Sequence, residues 1–200
     1  CASGAEQLTG QHADFKLLPA PEVSANQGAS HYLLAFCDSS PSAYANVGFV
    51  LQKVDLYVQS MGFGCGWFMN IKPKKESERF CIALAIGSTD VPMRKGPDEF
   101  KRIAASEISR HDNPITQAVR LAPSSLNSQP WKLDFQNGKI IIHDAGHGMK
   151  RIILKNKLNK IDVGIAARHA VLALENEGNK ILSVTPVTDG KEFSIEISYS

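Results

Sequence analysis

The chain has 200 residues, 43% of them hydrophobic and 21% charged, with a formal net charge of +2. That length buries a core without staples, and the charge is too near neutral for an electrostatic nucleic-acid binder. No stretch reaches the roughly 18 uncharged apolar residues of a membrane span, and the basic "KPKK" at 72–75 reads as a solvated loop.

Cys1, Cys37, Cys65 and Cys81 show neither CxxC nor Cys/His ligand spacing. Free thiols in a reducing, cytoplasmic setting are therefore expected. The chain opens at Cys1 with no initiator Met and no signal peptide, which reads as a truncated start.

In chain order, 31–37 ("HYLLAFC") is short, apolar and bounded by polar turn residues, as a buried strand requires. In 46–61, Val47, Val50, Leu51, Val54, Val58 and Met61 fall at helical spacing, with Leu56 and Tyr57 widening the face. Asn46 is the predicted N-cap and Gly62 the stop. A second strand follows at 80–86. Residues 132–144 ("KLDFQNGKIIIHD") predict a hairpin with Asn-Gly at its tip. A second helix, 161–178, has Asp162 as predicted N-cap, Gly178 as stop, and a stripe of Val163, Ala166, Ala167, Ala170 and Leu174. Residues 193–199 alternate as a half-exposed strand.

The two helices align without a gap at a spacing of 116 residues: Asn46 with Asp162, Gly48 with Gly164, Leu56 with Leu172, Gly62 with Gly178. The strands behind them, "FCIALAIG" and "FSIEISYS", correspond as well. The pattern predicts an internally duplicated α+β fold with mixed or antiparallel sheets. Its halves are 1–110 and 111–200, around central packed helices. Chance likeness of two amphipathic helices is the alternative.

Four places offer chemistry. The loop Pro123–Ser124–Ser125–Leu126–Asn127–Ser128–Gln129–Pro130 carries more hydrogen-bonding side chains than a turn needs, beside Trp131. In 62–69, three glycines in five residues let backbone approach a flat ligand. Lys101 and Arg102 form an adjacent cationic pair, able to grip phosphate if one is near. His111, His143 and His147 follow no zinc or triad pattern. No P-loop or GxGxxG is present.

Together these places resemble the flavin-dependent nitroreductase family, in its branch where two halves of one chain mimic the usual homodimer. "RLAPSSLNSQPW" is similar to the family's Ala-Pro-Ser-x-x-Asn-x-Gln-Pro-Trp motif. "NVGFVLQKVDLYVQSMGFGCGW" resembles its central helix and glycine loop, and "NKIDVGIAARHAVLALENEG" the helix of the second half. The strand 82–87 with the basic pair behind it resembles a further family segment.

The resemblance implies FMN, with electrons passing from NAD(P)H to a nitroaromatic, quinone or similar small-molecule acceptor. It places Pro123, Ser124, Ser125, Asn127 and Gln129 against the flavin, Gly64, Cys65 and Gly66 at its reactive edge, and Arg102 with Lys101 near its phosphate. No catalytic side chain is expected, because the redox chemistry belongs to the cofactor. One site at the junction of the halves is implied, in a pseudo-dimer that allows a monomer, with no nucleic-acid or membrane partner.

Two features depart from the family. Cys65-Gly66 stands where Ser/Thr-Cys is usual, and the Arg-x-Ser-x-Arg phosphate anchor near the N terminus is absent from 1–30. A flavin-storing protein without turnover, and a fold kept only for interaction, are the other readings.

Overall fold

The computed structural model describes residues 6–75, 78–145 and 156–200; Cys1 and His147 lie outside them. The first sheet contains β1 (Asp14–Pro19), β2 (His31–Phe36), β3 (Gly64–Phe68) and β4 (Phe80–Gly87) in the order β1-β2-β4-β3. The second contains β5 (Trp131–Gln136), β6 (Lys139–Asp144), β7 (Ile181–Asp189) and β8 (Glu192–Tyr199), ordered β5-β6-β8-β7. Every pairing is antiparallel.

Helix α1 (Pro41–Ser60) connects β2 to β3. The connection from β4 to β5 carries the single turn α2 (Ala105–Ile108) and α3 (Pro114–Leu121). Helix α4 (Leu158–Asn176) lies between β6 and β7. Each sheet thus takes the same element order: two strands, a long helix, two strands. The architecture is α+β with antiparallel sheets.

Period-two alternation divides the strands between two cores. Leu33, Ala35, Ile82 and Leu84 face a core shared with both long helices and the second sheet. Tyr32, Leu34, Ala83 and Ala85 face a smaller outer cluster with Val23 and Ile71.

Helices α1 and α4 pack against each other, and glycine sets how closely. A Cβ on Gly48 would stand 2.0 Å from the Ile161 carbonyl oxygen; one on Gly164 would stand 1.9 Å from that of Ala45. The two contacts are reciprocal, since Ala45 and Ile161 are themselves 116 residues apart. Only a residue without a side chain allows main chain this near.

Both predicted N-caps are corrected. Ser40 caps α1, its hydroxyl accepting from the Ala43 amide, with Pro41 in the first turn. Asn46 is interior and buried, and its Oδ1 accepts from the Leu8 amide at 2.9 Å. Lys157 precedes α4, so Asp162 is also interior. Both side chains serve tertiary partners, as buried polar groups must. The stops hold: Gly62 and Gly178 take φ of +86° and +84°, the left-handed end that glycine favours. Strands β1 and β7 and helix α3 were not predicted. The 62–69 segment, read as a loop, is largely edge strand β3.

Candidate functional site

The turn between α3 and β5 is held in an unusual shape. Leu126, Asn127 and Gln129 have φ of +52°, +52° and +48°. They are three of the five non-glycine residues with positive φ among the described residues, so the strain is concentrated here. Each such residue costs on the order of 1–2 kcal/mol, and strain of this kind persists only where surrounding bonds impose it.

Those bonds are present. Ser124 Oγ accepts from the Gln129 amide at 2.9 Å, and Gln129 Oε1 accepts from the Ile103 amide at 3.0 Å. Asn127 Oδ1 accepts from the Arg102 guanidinium at 3.0 Å, while its Nδ2 donates to the Lys101 carbonyl at 2.9 Å. The Ser125 amide donates to both Asp162 carboxylate oxygens at 3.1 Å, and its hydroxyl donates to one at 3.2 Å. The fold therefore brings the Ser-Asn loop and the basic pair together, although 25 residues separate Arg102 from Asn127.

A cavity of about 270 Å³ opens beside this loop. Pro123, Ser124, Ser125 and Leu126 line one side, Trp67 and Ile82 of the first sheet with Met69 just past β3 another, and Leu158, Ile161, Asp162 and Ile165 of α4 a third. Its walls are mainly apolar, with polar atoms at one edge, the usual composition of a small-molecule site.

Gly64 and Cys65 line a second cavity of about 550 Å³, with Thr89, Arg94 and Phe100. Gly66 lies between the two on β3, paired with Ala85. Cys65 and Trp67 share one face of the strand, and both meet Asp55 of α1. The Trp67 indole donates to that carboxylate at 2.9 Å. Burial, reinforced by Asp55, pushes the Cys65 thiol up to about 12. It stays protonated and is no nucleophile.

Positive charge collects at the far side of the loop. The Arg94 and Arg102 guanidinium carbons lie 4.5 and 5.4 Å from the centre of the Phe100 ring. Burial, then repulsion from Arg94 and Arg120, lowers the Arg102 pKa, and its buried Nε has no hydrogen-bond partner. Among the described residues, none of these three arginines makes an ion pair. Lys101 contributes its carbonyl, and its side chain is exposed.

The corresponding position before the first sheet is buried: Leu8 is 1% exposed. Leu8, six residues before β1 as Ser125 is before β5, donates its amide to Asn46 where Ser125 meets Asp162. Here, however, the loop is tied to β7: the Thr9 amide donates to Val184 O at 2.9 Å. Beneath it, the fully buried Arg168 bonds Glu6 and the Phe49 carbonyl and lies 3.5 Å from the Phe49 ring centre.

Sequence reasoning missed Asp162 as a loop partner, and it missed Trp67, Arg94 and Arg120. The Asn46/Asp162 correspondence was a usable signal for the first. Of the histidines, His111 packs on Phe135, with ring centres 5.4 Å apart. Burial lowers His169, which the sequence did not single out, to about 4. No group of metal-ligating residues occurs among the described residues.

The fold is similar to a solved structure. A crystal structure from Thermotoga maritima, described as a putative nitroreductase, superposes with a TM-score of 0.69 at 20% identity. The match covers 98% of this chain and 81% of that one, and it defines a nitroreductase-like fold. A family model described as "Putative TM nitroreductase" matches residues 8–174, and the chain belongs to that family. Membership indicates oxidoreductase chemistry. No curated protein matches the chain. No helix among the described residues is long and apolar enough to cross a membrane.

Proposed function

We propose that this chain is an FMN-dependent oxidoreductase that passes electrons from NAD(P)H to a nitroaromatic, quinone or similar small acceptor. The observation that carries the reading is the strained 124–129 loop, fixed at once to Asp162 and Arg102 and forming one wall of the cavity. The residues present suit FMN. Apolar walls with Trp67 accept a flat ring, Ser124 and Ser125 offer hydroxyls, and the unpaired arginines suit a phosphate. Bound FMN would supply hydride acceptance and electron transfer.

The chain's own residues bind and orient. Arg102, aligned by Asn127, would take the phosphate, and Lys101 would add charge nearby. Pro123, Ser124, Ser125 and Gln129 would shape the contact with the ring, while the β3 backbone at Gly64, Cys65 and Gly66 would approach it. In this reading Arg94 and Arg120 add positive charge around the Arg102 contact. We further propose that the halves 1–110 and 111–200 arose by duplication, which the common strand order and reciprocal glycine contacts support. The free thiols fit the cytoplasm.

The test is an FMN titration followed by flavin absorbance, then oxidation of NADH or NADPH with a quinone present. Saturable FMN binding with acceptor-dependent nicotinamide oxidation is the expected result. Binding without turnover would reduce the chain to a flavin carrier, and no binding would refute the reading.

A further inference from the structure

Asp162 is a buried carboxyl where an amide would serve. At the related position Asn46 accepts a loop amide in the same manner, and Leu8 needs nothing more. Asp162 accepts the Ser125 amide with both oxygens and takes the Ser125 hydroxyl as well. A buried charge is far costlier to keep than a buried amide. The exchange of Asn for Asp, together with Leu for Ser, occurs on the side whose cavity is open.

Hydrogen-bond direction explains what the carboxyl adds. While Asp162 is ionised it can only accept, so the Ser125 hydroxyl spends its proton on it and offers lone pairs to the cavity. With a proton on Asp162, the carboxyl donates to Ser125 Oγ, and the Ser125 O–H is free to donate outward. We propose that Asp162 is a positioning residue that sets the Ser125 hydroxyl as donor or acceptor toward the cavity and so couples ligand capture to uptake of one proton. The inference rests on the flavin reading. The flavin's two carbonyl oxygens, N1 and N5 are acceptors and only its N3–H donates, so a Ser125 hydroxyl that meets any of those four acceptors is selected in its donor state.

The surroundings leave Asp162 able to switch. Burial raises its pKa to about 7 against the opposing pull of the Ser125 bonds, and Asp144 at the end of β6 raises it further. Asp144 is paired with Lys160, two residues before Asp162 on α4. The groups facing Asp162 from the loop are the Ser124 and Ser125 hydroxyls, and Trp67 and Ile82 of the first sheet do not titrate.

The test is the FMN dissociation constant of the full chain, measured by flavin fluorescence at pH 7 and 8.5. Here the phosphate, with a second pKa near 6, is already largely ionised. Linkage predicts that the native chain binds about tenfold more weakly at pH 8.5, with proton uptake detected calorimetrically in two buffers. Asp162→Asn, whose Nδ2 donates permanently to Ser125 Oγ, should bind FMN with no such slope and no proton uptake. A slope that survives in Asp162→Asn, or its absence from the native chain, overturns the inference and leaves the flavin reading standing. No FMN binding by the native chain at any pH removes both. Carboxyl carbon NMR of the native chain without ligand is an independent check, and an Asp162 signal titrating near 4 would also overturn the proposal.

Discussion

Replacing Gly48 by Ala tests the central packing directly. The added methyl would meet the Ile161 carbonyl oxygen at 2.0 Å and its carbonyl carbon at 2.9 Å. Both obstacles are main chain in the first turn of α4, so no rotamer change relieves them. The helices must part by about 1 Å, opening gaps along a seam of fully buried residues that includes Val47, Leu51, Val163 and Ala167. Overpacking costs about 1–3 kcal/mol where side chains can yield and more where backbone must move. Better helix propensity returns at most about 1 kcal/mol. A net loss of about 2–4 kcal/mol follows, read from the urea midpoint at unchanged m-value. Gly164→Ala, facing the Ala45 oxygen at 1.9 Å, should behave the same way. Gly96→Ala, with nothing within 4 Å, should change stability by less than about 0.5 kcal/mol. Native-like stability of Gly48→Ala would refute the close-packed helix pair.

Asp162 should also shape stability without any ligand. Its folded pKa, about 7 against an ordinary 3.8, means that the native state holds a proton the unfolded state has lost between those values. Stability therefore falls as pH rises through that window, by up to about 4 kcal/mol, and is level above it. Asp162→Asn should flatten the profile and be the more stable protein at pH 8 by urea melts; a variant less stable at pH 8 contradicts the sign. Arg102→Ala should weaken FMN about tenfold or more while weakening riboflavin, which lacks the phosphate, by less. Equal losses for the two ligands would place the phosphate elsewhere. Asn127→Ala removes the acceptor that aligns Arg102, so it should loosen FMN several-fold and lower stability by about 1 kcal/mol.

Local pattern located much of this fold and left out what only tertiary context decides. The helices 46–61 and 161–178 and the strands at 31–37 and 80–86 were legible because apolar runs with punctuation at Gly62 and Gly178 mark them. The caps were misplaced for one reason. Asn46 and Asp162 look like helix-starting residues, yet each faces a loop distant in sequence. Strand β3 was hidden by its glycines, which read as a turn until pairing with β4 defined them. The motif 123–131 pointed to the loop, and "KR" at 101–102 to the cations. Nothing in the sequence placed Asn127 against Arg102, or Arg94 with Arg102 around Phe100. Those neighbours are made by the path of the chain between β4 and β5.

The unequal fates of the two related loops carry the deepest functional argument. Geometry at the helix pair is reciprocal to within 0.1 Å, judged by the oxygens facing Gly48 and Gly164. The frame itself therefore gives no reason for one cavity to open and its counterpart to close. The difference lies in side chains. The closed side has Leu8, Asn46, Phe49 and Arg168, each buried and satisfied. The open side has Ser125, Asp162, Ile165 and Gln52 at the related positions, and it leaves Gln52 Oε1 without a partner. Every change from the first set to the second gives up packing, neutrality or hydrogen-bond satisfaction. A fold under selection for stability alone would make both sides resemble the first. Three of the departures, Ser125, Asp162 and Ile165, line the one cavity, and under the proposed function ligand contacts there would offset what the fold forgoes.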